Sequence, residues 1–287
     1  MAGPDITVRN LTLEDVLPLV RVCNQAFLEH ARFPEHAAMA VRHIGENPAW
    51  QWGAFQGGRL VAFLLTEPRA DKGRVAVRLV AADPGAKGKG LGSRLVGVLE
   101  ARARAEGFRA LSVGTPFARG FYEKNGFKLT ETDLRMIRDI TCQAVPDGPE
   151  AKVRHLDFAA AAEVLPRLAG DELRRAFLSA FLGNVRREAG LMIVLGDQGA
   201  LRGVVVGRTP ELYRDFAEVV FHDSFGGELS PLVRAFERTA SGLGLRYVGF
   251  GVTADREREM EQLGYSRSDR DFFWTMYTLE KRLEGGP

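Results

Sequence analysis

Apolar and polar positions change period several times along the chain, and each change marks an element. Residues 5–11, DITVRNL, alternate and predict a short strand. From Leu13 the spacing in LEDVLPLVRVCNQAF becomes helical. Thr12 with Asp15 resembles a capping pair at its start, and Pro18 sits where a missing amide hydrogen matters little. Residues 29–48 predict a looser helical region, of the kind that often walls a substrate cleft. Trp50–Phe55 and Leu60–Thr66 flank the turn Gln56-Gly57-Gly58-Arg59, a hairpin signal, and Arg74–Val80 reads as a further strand. Leu91–Glu106 predicts a helix with Leu91, Leu95, Val98 and Leu99 on one apolar face. After Gly107 come a short strand, ALSVG from Ala110, a helix in ARGFYEKN stopped by Gly126, and a last stretch around Met136–Ile140.

The segment CQAVPDGPEA, starting at Cys142, holds two prolines and a glycine and reads as a linker. Beyond it the first pattern returns. VRHLD at Val153 follows VRNLT at Val8, and DQGALRG at Asp197 answers QGGRLVA at Gln56. GLRYVGF at Gly244 answers GFRALSV at Gly107, and LGY at Leu263 answers NGF at Asn125, at offsets of about 137–145 residues. A period of one whole domain signifies a duplication rather than a solenoid.

The length of 287 residues accommodates two domains, and 45% hydrophobic with 26% charged residues is ordinary globular composition. There is no long apolar run and no signal-like opening, so neither a membrane span nor export is expected. Cys23 and Cys142 make no metal-ligand spacing, the five histidines are scattered, and no metal is expected. A reducing, cytoplasmic setting is the simpler reading of two cysteines. Charge is uneven: residues 1–146 carry 20 Lys and Arg against 15 Asp and Glu, residues 147–287 carry 19 against 22. The first half therefore suits an anionic ligand, while neither half has the long basic tract with aromatics that nucleic acid favours.

The chemistry concentrates in Val80–Val96, the end of a strand, a turn with Lys87, Gly88, Lys89, Gly90 and Gly92, and the start of a helix. Glycines let a ligand approach the backbone, and the first helical turn leaves amides unpaired at its positive end, which makes a phosphate seat. Three alternating glycines are also compatible with a flexible turn that binds nothing. A Rossmann fingerprint does not fit, because this loop follows several strands, and no Gly-Lys-Ser/Thr closes the turn as in a Walker loop. Registering the halves on their strand ends pairs Val80 with Val220 and Asp83 with Asp223. Lys87, Gly88, Gly90, Leu91 and Gly92 then face Gly227, Glu228, Ser230, Pro231 and Leu232. A carboxylate and bulky side chains at those places predict that the second copy keeps the fold without the phosphate seat.

With the loop and FYEKNGF about 30 residues later, the chain resembles the GNAT superfamily of GCN5-related N-acetyltransferases, in its tandem form. The family's acyl-coenzyme A signature, Arg or Gln, two residues, Gly, one residue, Gly or Ala, stands here as Lys87-Gly88-Lys89-Gly90-Leu91-Gly92, with Lys87 at the Arg/Gln position. The resemblance implies an α/β fold of two domains, 1–144 and 145–287, each a mixed, largely antiparallel central sheet flanked by helices. Domain 1–144 would bind acyl-coenzyme A and catalyse; domain 145–287 would be degenerate. It further implies that the pyrophosphate of acetyl-coenzyme A lies against the amides from Gly88 to Ser93. The pantetheine arm would pair with Val80, Ala81 and Ala82, where a backbone amide polarises the thioester. Tyr122 would give a proton to the leaving thiolate while an amine attacks directly.

Tyrosine keeps its proton at neutral pH and so suits a general acid; Tyr122 is equally readable as one more aromatic packed with Phe121 and Phe127. Its counterpart in the second half is Met260, which cannot donate. Thr115 stands where the family often has asparagine, and the strand RVAVRLV holds Arg78 where a carboxylate often serves as base. Glu67, Glu29, His30, Glu35, His36 or a water chain are the candidates for that role. The reading is thus transfer of acetyl from acetyl-coenzyme A to a primary amine on a small molecule or peptide, by a monomer or homodimer with no nucleic-acid or membrane partner. The alternatives are a non-catalytic acyl-coenzyme A-binding or interaction protein, another acyl donor, or a hydroxyl acceptor.

Overall fold

The computed structural model describes residues 6–27, 33–141, 152–185, 191–197, 200–210, 213–270 and 273–283. In chain order come β1 (Ile6–Asn10), α1 (Val16–Ala26), α2 (Phe33–Glu46), β2 (Trp52–Gln56), β3 (Arg59–Arg69), β4 (Arg74–Ala82) and α3 (Leu91–Ala105). They are followed by β5 (Ala110–Thr115), α4 (Arg119–Lys124), β6 (Lys128–Asp139), β7 (Lys152–His155), α5 (Phe158–Val164) and α6 (Gly170–Asn184). The chain closes with β8 (Met192–Asp197), β9 (Ala200–Arg208), β10 (Phe216–Asp223), α7 (Ser230–Gly242), β11 (Tyr247–Thr253), α8 (Glu257–Gln262), β12 (Ser266–Arg267) and β13 (Met276–Arg282). The linker expected from Cys142 lies outside the described residues. None of the described helices is long and apolar enough to cross a membrane.

Two compact units result, one of residues 1–132 with 276–287 and one of residues 133–275. The packing thus divides the chain differently from a single cut at 144/145. In the first unit the strands run β1-β2-β3-β4-β5-β13, antiparallel except for β4 beside β5. The free edge of β5 is covered by the C-terminal strand, from Tyr277 opposite Thr115 to Arg282 opposite Ala110, and Leu279 is fully buried there. Backbone groups at a strand edge need partners, and β13 supplies them.

Each face of this sheet carries its own core. On one, Leu91, Leu95 and Leu99 of α3 pack on Val75, Val77, Leu111 and Val113; Val98, expected on the same apolar stripe, is only half-buried. On the other, Leu19 and Val22 of α1 and Ala40 and Ile44 of α2 cover Phe63, Leu65 and Ala81. The start of α1 is a short 3-10 turn, Leu13–Asp15, at which Thr12 and Asp15 make the reciprocal capping box. The β2–β3 turn has Gly57 at φ 55° and Gly58 at φ 77°, the two positive values a tight hairpin turn of this hand requires.

One irregularity shapes the site. On β3, Leu65 pairs with Leu79 but Thr66 with Val77, so Arg78 is an extra residue bulged out of β4. The bulge flips the alternation: Val75 and Val77 face α3 before it, Val80 and Ala82 after it. Parallel pairing with β5 runs from Arg74–Ala110 to Val77–Val113 and ends there. Beyond Arg78 no strand among the described residues stands on the β5-side edge of β4. Gln51, fully buried, holds the bend by accepting the Thr66 amide at 2.8 Å and donating to the Thr66 carbonyl at 3.0 Å.

The second unit repeats the plan. Residues 133–139 of β6 stand beside β11, followed by β10, β9, β8 and β7, with β12 pairing β6 on its other side. Parallel pairing of β10 with β11 stops at Glu218–Gly249, and Val220 is bulged out next. Gly107 and Gly244 share φ 76°, and Gly126 at 84° is matched by Gly264 at 88°. This unit holds a buried ion pair: Arg138 donates to Glu237 at 2.9 Å with both side chains almost fully enclosed.

Candidate active site

Asp83 starts the glycine loop. Its carboxylate accepts the Gly85 amide at 3.1 Å and pairs with Arg21 at 3.2 Å and Arg59 at 3.0 Å, all of which hold it below the usual carboxylate range. The turn Pro84–Ala86 comes next, then Gly88 at φ 79° and Gly90 at φ 74°, the latter as N-cap of α3. Space around both is open, so glycine is required there by the backbone and not by crowding. Gly92 is different: a Cβ there would come within 3.1 Å of the Phe121 ring, so its bareness lets the first turn of α3 lie against α4. The first intrahelical bond runs from the Arg94 amide to the Gly90 carbonyl at 2.9 Å. The amides of Leu91, Gly92 and Ser93 therefore precede the ladder and point outward, with exposed Lys87 and Lys89 beside them. This donor set fits a pyrophosphate.

Val80, Ala81 and Ala82 lie on the part of β4 that has left β5, paired only with Leu64, Phe63 and Ala62 of β3. Their bare edge can accept one more extended chain. Thr115 ends β5, and its hydroxyl accepts the Ala118 amide at 3.1 Å, which sets the turn into α4. Tyr122 lies on α4, 3% exposed, its ring edge-on to Phe121 at 5.0 Å and to Phe127 at 5.3 Å. Burial pushes its hydroxyl above the ordinary value of 10, so the proton stays on. The loop and Tyr122 are thus joined through Phe121, which touches both.

On the opposite face of the sheet from α3, a cleft of about 160 Å³ opens where β4 and β5 part, lined by Arg69, Arg74, Arg78, Ser112, Gly114 and Thr278. Glu67 sits among these arginines, 3.1 Å from Arg69 and 3.4 Å from Arg78. Of the other candidate bases, Glu29 and His30 lie outside the described residues, and the side chains of Glu35 and His36 likewise. A residue that sequence reasoning passed over is His43 on α2. It is buried, its Nδ1 has no hydrogen-bond partner, and burial with nearby Arg42 and Arg78 lowers its pKa while Glu67 opposes the shift. Its helical spacing from Ala40, on a buried stripe, was the available signal. Cys23 is buried in the α1 core, its thiol pushed up to about 12 by desolvation, and it offers no nucleophile.

The second unit treats the same places differently. Asp223 accepts the Phe225 amide at 2.6 Å as Asp83 accepts that of Gly85, which agrees with pairing those aspartates. Leu229, however, is the N-cap of α7, so it and not Ser230 stands opposite Gly90, and Ser230 opposite Leu91; this loop is one residue shorter. Registered on the bulges, Val80 stands opposite His222 and not opposite Val220 as the sequence register had it, and β10 reaches its aspartate two residues sooner after its bulge than β4 does. The His222 Nε2 lies 3.2 Å from the Gly251 carbonyl of β11, so the imidazole bridges the two strands where they separate. Met260 and Tyr122 occupy matching positions, each carbonyl accepting the amide five residues on, from Tyr265 at 3.0 Å and Phe127 at 3.1 Å.

Known proteins share this fold. Residues 13–127 match the profile of the acetyltransferase (GNAT) family. Among solved structures, a GCN5-related N-acetyltransferase from Sphaerobacter thermophilus superposes with a TM-score of 0.66 at 16% identity, covering 98% of this chain and 97% of that one. A tandem GNAT protein from the clavulanic acid biosynthesis pathway gives 0.66 at 14% identity over 99% of this chain and 100% of the other. A glucosamine N-acetyltransferase region of a fungal multi-domain β-N-acetylglucosaminidase gives 0.71 at 14% identity over 98% of this chain and 38% of that protein. Identities this low speak for the fold alone. A search among curated protein sequences finds no match.

Proposed function

Because residues 13–127 belong to the acetyltransferase (GNAT) family within a chain folded like the tandem GNAT proteins, we propose that the first unit transfers acetyl from acetyl-coenzyme A to a primary amine. One observation carries this reading: a bare strand edge and a row of unpaired helix-start amides occur in the same unit, beside a protonated tyrosine. Amides from Gly88 to Ser93, with Lys87 and Lys89, hold the pyrophosphate. The edge of Val80–Ala82 pairs with the pantetheine arm, and one of its amides stabilises charge on the thioester oxygen. Tyr122 hands its proton to the departing sulfur. Glu67 and the neutral His43 form the proton-accepting end for the amine, which must lose its proton to attack. Acyl transfer is read as direct; Cys23, the one cysteine among the described residues, is enclosed and protonated.

The second unit is assigned no transfer, a reading supported by His222 across its strand gap and by Met260 in place of Tyr122. The chain accordingly binds one acetyl-coenzyme A. Titration calorimetry should give a stoichiometry of one, and a thiol-release assay across an amine panel should show turnover. Gly90→Glu should abolish both, because it puts a carboxylate into the phosphate seat and a side chain where φ is 74°. Binding without thiol release from any amine would favour a non-catalytic acyl-coenzyme A-binding protein. A stoichiometry of two would refute the silence of the second unit.

A further inference from the structure

The cleft where β4 and β5 part is cationic. Arg69 and Arg74 are directly paired across the β3–β4 ladder, so their guanidiniums start from the same end of the cleft. Arg78 enters from the bulge, which has re-aimed it out of the strand's alternation. Arg69, Arg74 and Arg78 line the cleft, Glu67 contacts Arg69 and Arg78, and Glu280 is paired with the lining residue Ser112. The Nε atoms of both Arg69 and Arg74 are buried and have no hydrogen-bond partner. Buried guanidinium donors left unpaired are costly, and an anion or an ordered water completes them. Ser112 and Thr278 add hydroxyls to the same lining.

We infer that this cleft receives the anionic end of the acceptor, which is a primary amine carrying a carboxylate. The inference rests on the transferase reading for the amine and goes further in naming the acceptor class. Planar guanidinium forks match carboxylate oxygens in a bidentate manner and keep their charge at any ordinary pH. A cleft of about 160 Å³ accommodates a short acid. Position orients the molecule: Arg69 and Arg74 lie at the hairpin end of the cleft, while Arg78 and Gly114 lie where the strands part. An acceptor held by its acid at the hairpin end therefore directs its amine toward the parted strands, where Val80–Ala82 begin. Glu67 pairs with Arg69 and Arg78 and leaves the buried Arg74 Nε without a hydrogen-bond partner, so a further anion has a guanidinium to meet.

The test compares 4-aminobutyrate and 6-aminohexanoate with their amides and with 3-aminopropyl phosphate, by thiol release with saturating acetyl-coenzyme A. The free acids should exceed the amides in kcat/KM by about tenfold to a hundredfold, the range of charge-assisted contacts, chiefly through KM. Arg74→Gln should reduce that acid-to-amide ratio at least tenfold, and Arg69→Gln provides a second variant should the first fail to fold. Equal use of acids and amides by the wild-type chain, or a ratio unmoved in a folded Arg74→Gln, overturns the proposal. Preference for the phosphate over both acids replaces the carboxylate and likewise overturns it. Calorimetry with butyrate and hexanoate, which cannot accept acetyl, separates the two readings. If these bind and Arg74→Gln weakens them at least tenfold while no amine turns over, the anion subsite stands and the transferase reading falls.

Discussion

At the scale of single residues, neighbours in one motif turn out to act for different reasons. Gly88 and Gly90 are glycine because of positive φ, and Gly92 because Phe121 lies 3.1 Å from where its Cβ would be. Alternating glycines were legible in the sequence; the packing constraint was not, since Phe121 is distant in the chain. Tyr122 shows the same division. Its place in FYEKNGF was readable, but its enclosure between Phe121 and Phe127, which holds the proton on, is a tertiary fact. Tyr122→Phe should lower kcat at least tenfold, within the range of a general acid, while changing the acetyl-coenzyme A Kd less than threefold or so. Stopped-flow turnover and calorimetry on the same preparation check it, and unchanged kcat would leave the tyrosine a packing residue. His43 escaped sequence reasoning because a histidine on a buried helical stripe looks like any core position until Glu67 is brought to it.

Among elements, the decisive one is the bulge that parts β4 from β5. Nothing in RVAVRLV marks Arg78 as an extra residue; the alternation alone would carry Val75 and Val77 on to Leu79 and Ala81. What breaks the register is visible only with β3 alongside, where Thr66 turns to Gln51 instead of to the ladder. Gln51→Leu should therefore destabilise the first unit by about 2–6 kcal/mol, because the amide and carbonyl of Thr66 would be left buried without partners at roughly 1–3 kcal/mol each. Urea unfolding gives the loss, and acetyl-coenzyme A affinity should fall with it as the strand edge relaxes. A loss under 0.5 kcal/mol or so would show that the bulge holds itself.

For the molecule as a whole, the duplication was legible and the division into units was not. The second copy's strands and glycines recur at a nearly constant offset, yet the strand beside β5 comes from residues 276–282 and the strand beside β11 from residues 133–139. A chain ending at residue 275 should lose more than its own last strand. It removes Leu279 and Leu283 from the core of the first unit, each worth roughly 1.5–3 kcal/mol, and breaks the Lys281–Glu100 contact at 2.5 Å. Such a chain should show a lowered first unfolding transition in calorimetry and no acetyl-coenzyme A binding, while the second transition changes little. Retention of binding would mean that β13 is dispensable to the site.

Sequence by itself determined the periodicity of most helices and strands, the duplication, and the glycine loop with its tyrosine partner, because each of these is local or repeats in kind along the chain. Tertiary structure alone decided which strand completes which unit, where β4 leaves β5, and that Arg69 and Arg78 meet Glu67 beside the cleft there. The physical reason is common to all three. Edge pairing, bulges and charge clusters are set by groups remote in sequence, and only folding brings into contact the partners that satisfy them.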